Sequence, residues 1–468
     1  MFILSMNNKL ELKLYEAYLF FLPLGYFLRY ELPLQSYLFN IFSCFFFWPG
    51  LFFMFFKKRK KHIPPLLRGW QRMTWFQSIY TFAMALILFI PLGPLYGENT
   101  LRACIGMIIF GIVVFLHISY NVYSFTHLIT WSQAERIFRK SIYVLLFVGY
   151  LQLASLRIGG LFTVLYRALG SVLFLSEDLE RGVQFFGSEA SSVATLFLFI
   201  IPYLIAKVLH SNFFNVWTNK DLLLLVLFIP LFITSNSSSV LMSIAMVLAV
   251  TICMILRYRG FYKACLIGSF LAGLSVALAY GFGDMKFQGK TTDQESLEYI
   301  LLGKITDTDN YSTMMRSSTI INDMRIFFKF PITGVGDGLQ GYWYNEHLPI
   351  IYLASTEVQD IVSGKNGIID GGGAYFPILL SGYGLIGITC LFVFLGGYKK
   401  YIIPQKYEKD VPIPIIMFRI FFCIFLSSAW FGLGIRQNFL VCFVLSLPII
   451  YQATLMKNKR MEVGEHGE

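Results

Sequence analysis

The chain has 468 residues, of which 56% are hydrophobic and 14% charged, and 48 are Phe. A soluble domain is about 45–50% apolar and about 25% charged. The composition excludes a disordered chain and a water-soluble enzyme, and demands a bilayer. The net charge of +11 comes from 38 basic and 27 acidic residues. In a membrane protein such an excess records orientation, because Lys and Arg stay on the cytoplasmic side, and nucleic acid is not an expected partner. All seven Cys lie in apolar runs, the count is odd and no CxxC occurs. They read as small hydrophobes, not as a disulfide framework or a metal site.

In chain order, the opening run Met1-Phe-Ile-Leu-Ser-Met-Asn-Asn before Lys9 and Glu11 is too short for a cleavable signal. About 20 apolar residues cross a hydrocarbon core. Twelve stretches qualify: 14–30, 34–56, 72–93, 101–121, 140–156, 191–209, 221–235, 238–256, 262–281, 374–398, 412–432 and 437–455. In lipid these must be helices, since no water is present to satisfy their backbone groups. The predicted fold is therefore an all-α polytopic membrane protein with about 12 transmembrane helices.

Lys57-Lys58-Arg59-Lys60-Lys61 anchors the orientation. Threading from it puts both termini in the cytoplasm. The inside segments then also hold Arg136, Arg139, Lys140, Arg257, Arg259, Lys263, Lys399, Lys400, Lys406, Lys409, Lys457, Lys459 and Arg460, whereas the short outside turns carry Arg29, Arg102 and Arg436. The chain divides into transmembrane helices over 1–156, a first extracytoplasmic loop over 157–190, central helices over 191–281, a large and partly helical extracytoplasmic loop over 282–373, and carboxy-terminal helices with a cytoplasmic tail over 374–468. A structureless loop as long as the second would be uncommon unless functional. No internal repeat is visible, so an inverted-repeat transporter gains no support.

The outside loops carry the chemistry. The first contains Arg157, Arg167, Arg181 and Glu189, with an apolar stretch at 161–175 suited to a helix lying in the membrane interface. Arg181-Gly-Val-Gln-Phe-Phe-Gly-Ser-Glu-Ala-Ser-Ser runs directly into a span. An Arg beside a helix start adds fixed charge to backbone donors that already favour anions. The second loop contains Arg316, Arg325 and Lys329, then Pro331-Ile-Thr-Gly-Val-Gly-Asp-Gly. Gly334 and Gly336 permit close backbone approach, but no Gly-Lys-Ser/Thr follows, so this is not a P-loop. Arginine holds phosphate oxygens in a bidentate fork. Two loops that bring Arg to the membrane surface therefore suggest a lipid-linked phosphate or diphosphate; salt bridges to nearby carboxylates or contacts with lipid headgroups are the plainer alternative. His347 is the one outside histidine, a candidate general base or a surface residue. Asp307-Thr-Asp309 is a short D-x-D in polar surroundings. His62, His117, His127, His210 and His466 read as structural or solvated. Arg419 falls inside a span, where charge is costly and points to function, a polar partner or a cavity.

Three features resemble the O-antigen polymerase and ligase superfamily, bacterial membrane glycosyltransferases of the GT-C kind. They are the Arg181–Ser192 stretch, the Thr234-Ser-Asn-Ser-Ser-Ser-Val-Leu kink, and the pattern from Arg316 through Pro331-Ile-Thr-Gly-Val-Gly to Gly382-Tyr-Gly-Leu-Ile-Gly. The resemblance covers roughly 140–400. It implies a GT-C-like fold and a metal-independent enzyme without a cofactor, joining undecaprenyl-diphosphate-linked oligosaccharide repeat units on the outer face of the bacterial cytoplasmic membrane. It implies that Arg181 and Arg316 bind the donor diphosphate, that a second lipid-linked chain is the acceptor, and that membrane lipids and a chain-length co-polymerase are partners. Ligases of the superfamily carry a His before the last Gly-rich signature, where this chain reads Asp370-Gly-Gly-Gly-Ala-Tyr-Phe. The departure favours polymerase over ligase; a lipid-oligosaccharide flippase is the further alternative. It leaves Glu189, Asp323 and Asp337 as candidate bases, and Arg157, Arg325, Gly334, Gly336, Asp337 and His347 as candidate substrate-binding positions.

Overall fold

The computed structural model describes residues 2–24, 43–56, 63–92, 100–173, 182–185, 190–210, 220–235, 247–248, 250–252, 259–282, 311–344, 348, 350–362, 374–404, 411–430 and 439–465. Among these residues the ordered elements are all helical. They are α1 (Phe2–Phe21), α2 (Cys44–Phe56), α3 (Pro65–Leu92), α4 (Thr100–His127), α5 (Trp131–Arg157), α6 (Leu161–Leu173), α7 (Ala190–His210), α8 (Lys220–Ile233), α9 (Arg259–Phe282), α10 (Tyr311–Lys329), α11 (Thr356–Val362), α12 (Tyr375–Ile402), α13 (Ile413–Ser428) and α14 (Phe439–Glu465). Two 3₁₀ turns, Gln340–Trp343 and Ile350–Ala354, lie between α10 and α11.

Four helical segments are long and apolar enough to cross a membrane: Cys104–His127, Trp131–Arg157, Tyr375–Ile402 and Phe439–Asn458. Shorter apolar helices include Cys44–Phe56, Leu196–His210, Tyr262–Ser275 and Ile413–Ser428. Large apolar side chains such as Trp75, Ile79, Phe147, Phe392 and Val393 stand exposed on the helices. Apolar surface on that scale marks contact with something other than water, and the spanning helices make that something lipid. The first helix departs from the expected 14–30. It already starts at Phe2 and ends at Phe21, and its Glu11 is buried. The apolar run through 25–30, on which the expectation leaned, lies outside the described residues.

Helix α3 packs on α4, α4 on α14, α13 on both α7 and α9, and α10 on α12. The charged helix ends gather at one pole. There Arg139 of α5 pairs with Asp221 of α8 at 2.7 Å, and Lys207 of α7 with Glu135 of α5 at 2.9 Å. Lys457 of α14 donates to the Thr126 carbonyl at the end of α4. Arg419 belongs to this pole too. Buried, it donates from Nε to the Tyr401 carbonyl in the last turn of α12 at 2.8 Å. A cation on a helix C-terminus satisfies an orphan carbonyl and meets the negative end of the helix dipole, so this Arg serves as a cap. His117 is structural in the same sense: its ring is sandwiched between Phe47 and Phe439, each 3.7 Å away between centroids.

Candidate functional site

Helix α12 is broken near its start. Gly384 has φ 58° and ψ −152°, a conformation that L side chains essentially never adopt. A break of this kind strands backbone donors and acceptors that water cannot reach in a bilayer. The segment after α10 supplies the missing partners. The amides of Val335 and Gly336 donate to the carbonyls of Ser381 and Gly382 at 2.8 and 2.9 Å. In return, the amides of Leu385 and Ile386 donate to the carbonyls of Pro331 and Ile332 at 2.8 and 3.2 Å. The backbones meet so closely that a Cβ on Gly384 would stand 2.5 Å from the Ile332 carbonyl oxygen, and one on Gly334 would overlap the Ser381 carbonyl. The two Gly-rich stretches that carry part of the family resemblance are therefore locked together. The close approach that Gly334 permits is made to the backbone of α12.

Around this joint lies a cluster of buried polar side chains. Helix α10 contributes most of it. Ser317, Ser318, Thr319, Asn322 and Asp323 are all buried, whereas Arg325 and Lys329 are exposed. A helix whose polar residues face inward must find partners for them. The Ser381 hydroxyl donates to Asp323 Oδ1 at 2.8 Å, and Gln340 Nε2 donates to the same hydroxyl at 3.3 Å. Tyr383 donates to Asp337 Oδ2 at 2.9 Å, and shares a hydrogen bond of 3.1 Å with Thr81 of α3. Ser318 and Tyr344 lie 2.6 Å apart. Asp323 is 0% exposed and Asp337 3%. Asn322, also 0% exposed, has no partner for either side-chain atom among the described residues. A buried carboxamide in that state offers one acceptor and two donors to a ligand hydroxyl or phosphate oxygen.

The surrounding phenols are held neutral. Burial pushes the Tyr344 hydroxyl above its ordinary value, and the Asp323 carboxylate pushes it the same way. Burial also raises Tyr352, against the opposing pull of its hydrogen bond with Ser317 and the charge of Arg325. These phenols stay protonated at ordinary pH, and Asp323 and Asp337 accept hydrogen bonds from Ser381 and Tyr383. That combination suits accepting a proton from a hydroxyl positioned beside Asp323.

A second joint involves the first loop. Gln152, fully buried in α5, grips the backbone of residues 184–185. Its Oε1 accepts from the amides of Gln184 and Phe185 at 3.1 and 2.7 Å. Its Nε2 donates to the Phe185 carbonyl and to Tyr166 of α6. Phe185 has φ 55°, an uncommon conformation for a bulky residue that the surroundings must over-determine. On the other side, the Val183 amide donates to the Thr234 carbonyl at 3.1 Å, where α8 ends. The Arg181 motif and the Thr234 kink, separate in sequence, thus touch. Helix α6 forms where an interfacial helix is expected, with Leu161, Val164 and Leu165 exposed and Tyr166 buried.

The predicted site residues divide as follows. Asp337, Gly334 and Gly336 lie in the first joint and are buried, with Asp323 beside them. Arg316 stands in α10 two turns before Asp323, about 10 Å along the axis; its side chain is outside the described residues. So are Arg181, Glu189, His347, Asp307 and Asp309, although Arg181 directly precedes the described Gly182. Arg157 ends α5 and Arg325 lies on the outer face of α10; both are exposed, and Arg325 acts on the cluster's edge through its charge on Tyr352. Sequence reasoning overlooked Gln152, Asn322, Gln340, Ser381, Tyr383 and Thr81. A legible signal existed for Gln152 and Ser381, which are polar residues inside apolar runs. No family model, curated protein or solved structure matches this chain.

Proposed function

We propose that this chain is a polysaccharide polymerase of the O-antigen polymerase type. In this reading it is a GT-C-like glycosyltransferase of about twelve spans in the bacterial cytoplasmic membrane, with both termini inside. It joins undecaprenyl-diphosphate-linked repeat units on the outer face. The observation that carries the proposal is the buried polar cluster at the α10–α12 joint. It assembles two carboxylates and an unpartnered carboxamide from the stretches that resemble the superfamily. Its place in the molecule supports the reading. Ser381 precedes Tyr401 of the basic pole by 20 residues of α12, a rise of about 30 Å and so about one hydrocarbon thickness. If the basic pole is cytoplasmic, the cluster faces outward.

In the proposed reaction an acceptor sugar hydroxyl attacks the anomeric carbon of the donor. The bond from that carbon to the diphosphate oxygen breaks, and the hydroxyl proton passes to Asp323. Undecaprenyl diphosphate leaves, and Arg181 and Arg316 offset the charge that grows on it. Fixed charge aimed at a leaving group is often the largest single catalytic term. Asp323 is preferred to Asp337 as base because it shares a helix with Arg316 and adjoins Asn322. Asp337 is tied to Tyr383 and acts on the joint itself.

The test is chain extension by purified protein on synthetic undecaprenyl-diphosphate repeat units, with and without EDTA. A ladder that survives EDTA and disappears in Arg181→Ala, Arg316→Ala and Asp323→Asn is the expected result. Normal ladders in the Arg variants would sink the proposal. In cells, loss of a polymerase leaves single repeat units on the carrier, loss of a ligase leaves long chains, and loss of a flippase traps single units on the cytoplasmic face.

A further inference from the structure

We propose that the crevice between α2, α3, α4 and α14 at the basic pole binds a diacyl phospholipid with an anionic headgroup. The crevice has a volume of about 520 Å³, within the roughly 300–1,000 Å³ of small-molecule sites. Its walls are largely apolar, formed by residues such as Phe55, Leu67, Phe115 and Leu116. Apolar walls of this extent favour hydrocarbon over water as their neighbour. Phe52, Phe55 and Phe56 stand exposed beside it on α2, so hydrocarbon can enter sideways from the bilayer.

The mouth carries the opposite chemistry. Lys457 and His127 line it, both exposed, and no Asp or Glu is among its described lining residues. Lys457 is held in place by the bond from Nζ to the Thr126 carbonyl, 2.8 Å long. That bond uses one of its three donors and leaves two for a phosphate. Basic pockets between helices are where anionic headgroups settle.

The apolar walls select a lipid over a soluble anion, and the cationic mouth selects an anionic lipid over a zwitterionic one. The crevice is also remote from the α10–α12 joint. Gln71 lines it at the start of α3, whereas Thr81 contacts Tyr383 ten residues later. The inference rests on membrane embedding and not on the polymerase reading.

The test uses full-length protein in detergent, titrated with phosphatidylglycerol or phosphatidylcholine and read by native mass spectrometry. Wild type should retain phosphatidylglycerol about ten-fold better than phosphatidylcholine. Lys457→Gln should weaken phosphatidylglycerol retention about five-fold, the loss of one cation at the surface. Ser119→Trp should fill the crevice and remove both adducts. If that variant misfolds, Gln71→Trp at an exposed position narrows the mouth and should give the same loss. Equal retention of the two lipids would overturn the proposal. So would undiminished phosphatidylglycerol in Lys457→Gln, or in the tryptophan variants. Displacement of the lipid by millimolar inorganic phosphate alone would make the site one for free phosphate and overturn it too. Arg316→Ala should retain lipid like wild type, which separates this outcome from failure of the polymerase reading.

Discussion

The two joints hold chain segments in place by different means. At the α10–α12 joint, backbone holds backbone: four main-chain hydrogen bonds knit residues 331–336 to the break in α12. At the Gln152 joint, one side chain holds a backbone through two accepted bonds and one donated bond, donates another to the Tyr166 hydroxyl, and leaves a single main-chain bond on the far side. The difference has a physical consequence. A backbone-to-backbone joint is indifferent to most side-chain exchanges but cannot admit a Cβ between its chains. A side-chain clamp tolerates change everywhere except at the clamp.

Substitutions sharpen that contrast. The largest effect is expected from Gly384→Ala. The new Cβ would meet the Ile332 carbonyl at 2.5 Å in a backbone conformation reserved for glycine. A loss of about 3 kcal/mol or more is expected, seen as a fall in the thermal midpoint in detergent. Gly396→Ala, in the same helix with nothing within 4 Å of the added Cβ, should leave the midpoint unchanged or raise it slightly. Equal behaviour of the two variants would break the account of the joint.

Gln152→Leu comes next. It strands the amides of Gln184 and Phe185, at about 1–3 kcal/mol for each buried group left without a partner. Amide exchange should quicken at Val183–Phe185 while Val335 and Gly336 stay protected. Exchange that quickens equally at both joints would mean that they are one cooperative unit. Tyr383→Phe should cost less, about 1–2 kcal/mol, because it removes one donor to Asp337 while the backbone pairing stays. A double-mutant cycle with Asp337→Asn should show most of that loss to be shared.

The smallest effect concerns pH. Tyr344 has its acidity suppressed by burial and by Asp323, so its pKa in the folded state lies above that of the unfolded chain. The stability it contributes is present in full below pH about 10 and is lost as pH rises through the folded value. Alkaline unfolding should be blunted in Tyr344→Phe. An unchanged alkaline profile would show that other phenols dominate.

The candidate site was only partly legible in the sequence. Asp323 and Asp337 were visible as possible bases, but not that they flank one joint, because 14 positions of chain and a tight Gly turn separate them. Asn322 is an ordinary polar residue in a helix of mixed composition. Only burial makes it conspicuous, and burial depends on which face of α10 meets α12. Arg325 shows the converse: its charge drew attention, yet the twist of the helix turns it outward. Arg419 looked like a site because charge inside a span is costly, and the cost is met by the C-terminal carbonyl of a neighbouring helix.

By itself the sequence determined that this chain is helical and belongs in a membrane. Those properties follow from composition and from runs of apolar residues, and both are local. The clustering of basic residues at helix ends is local as well. What the tertiary structure alone decided is which segments touch. The break in α12 needs partners for its stranded carbonyls and amides, and nothing near it in the chain can reach them. They come from residues 331–336, about fifty positions earlier. Hydrogen-bond satisfaction across a fold depends on geometry that no local pattern encodes, and so the joint that gathers the candidate site appears only when the helices are packed.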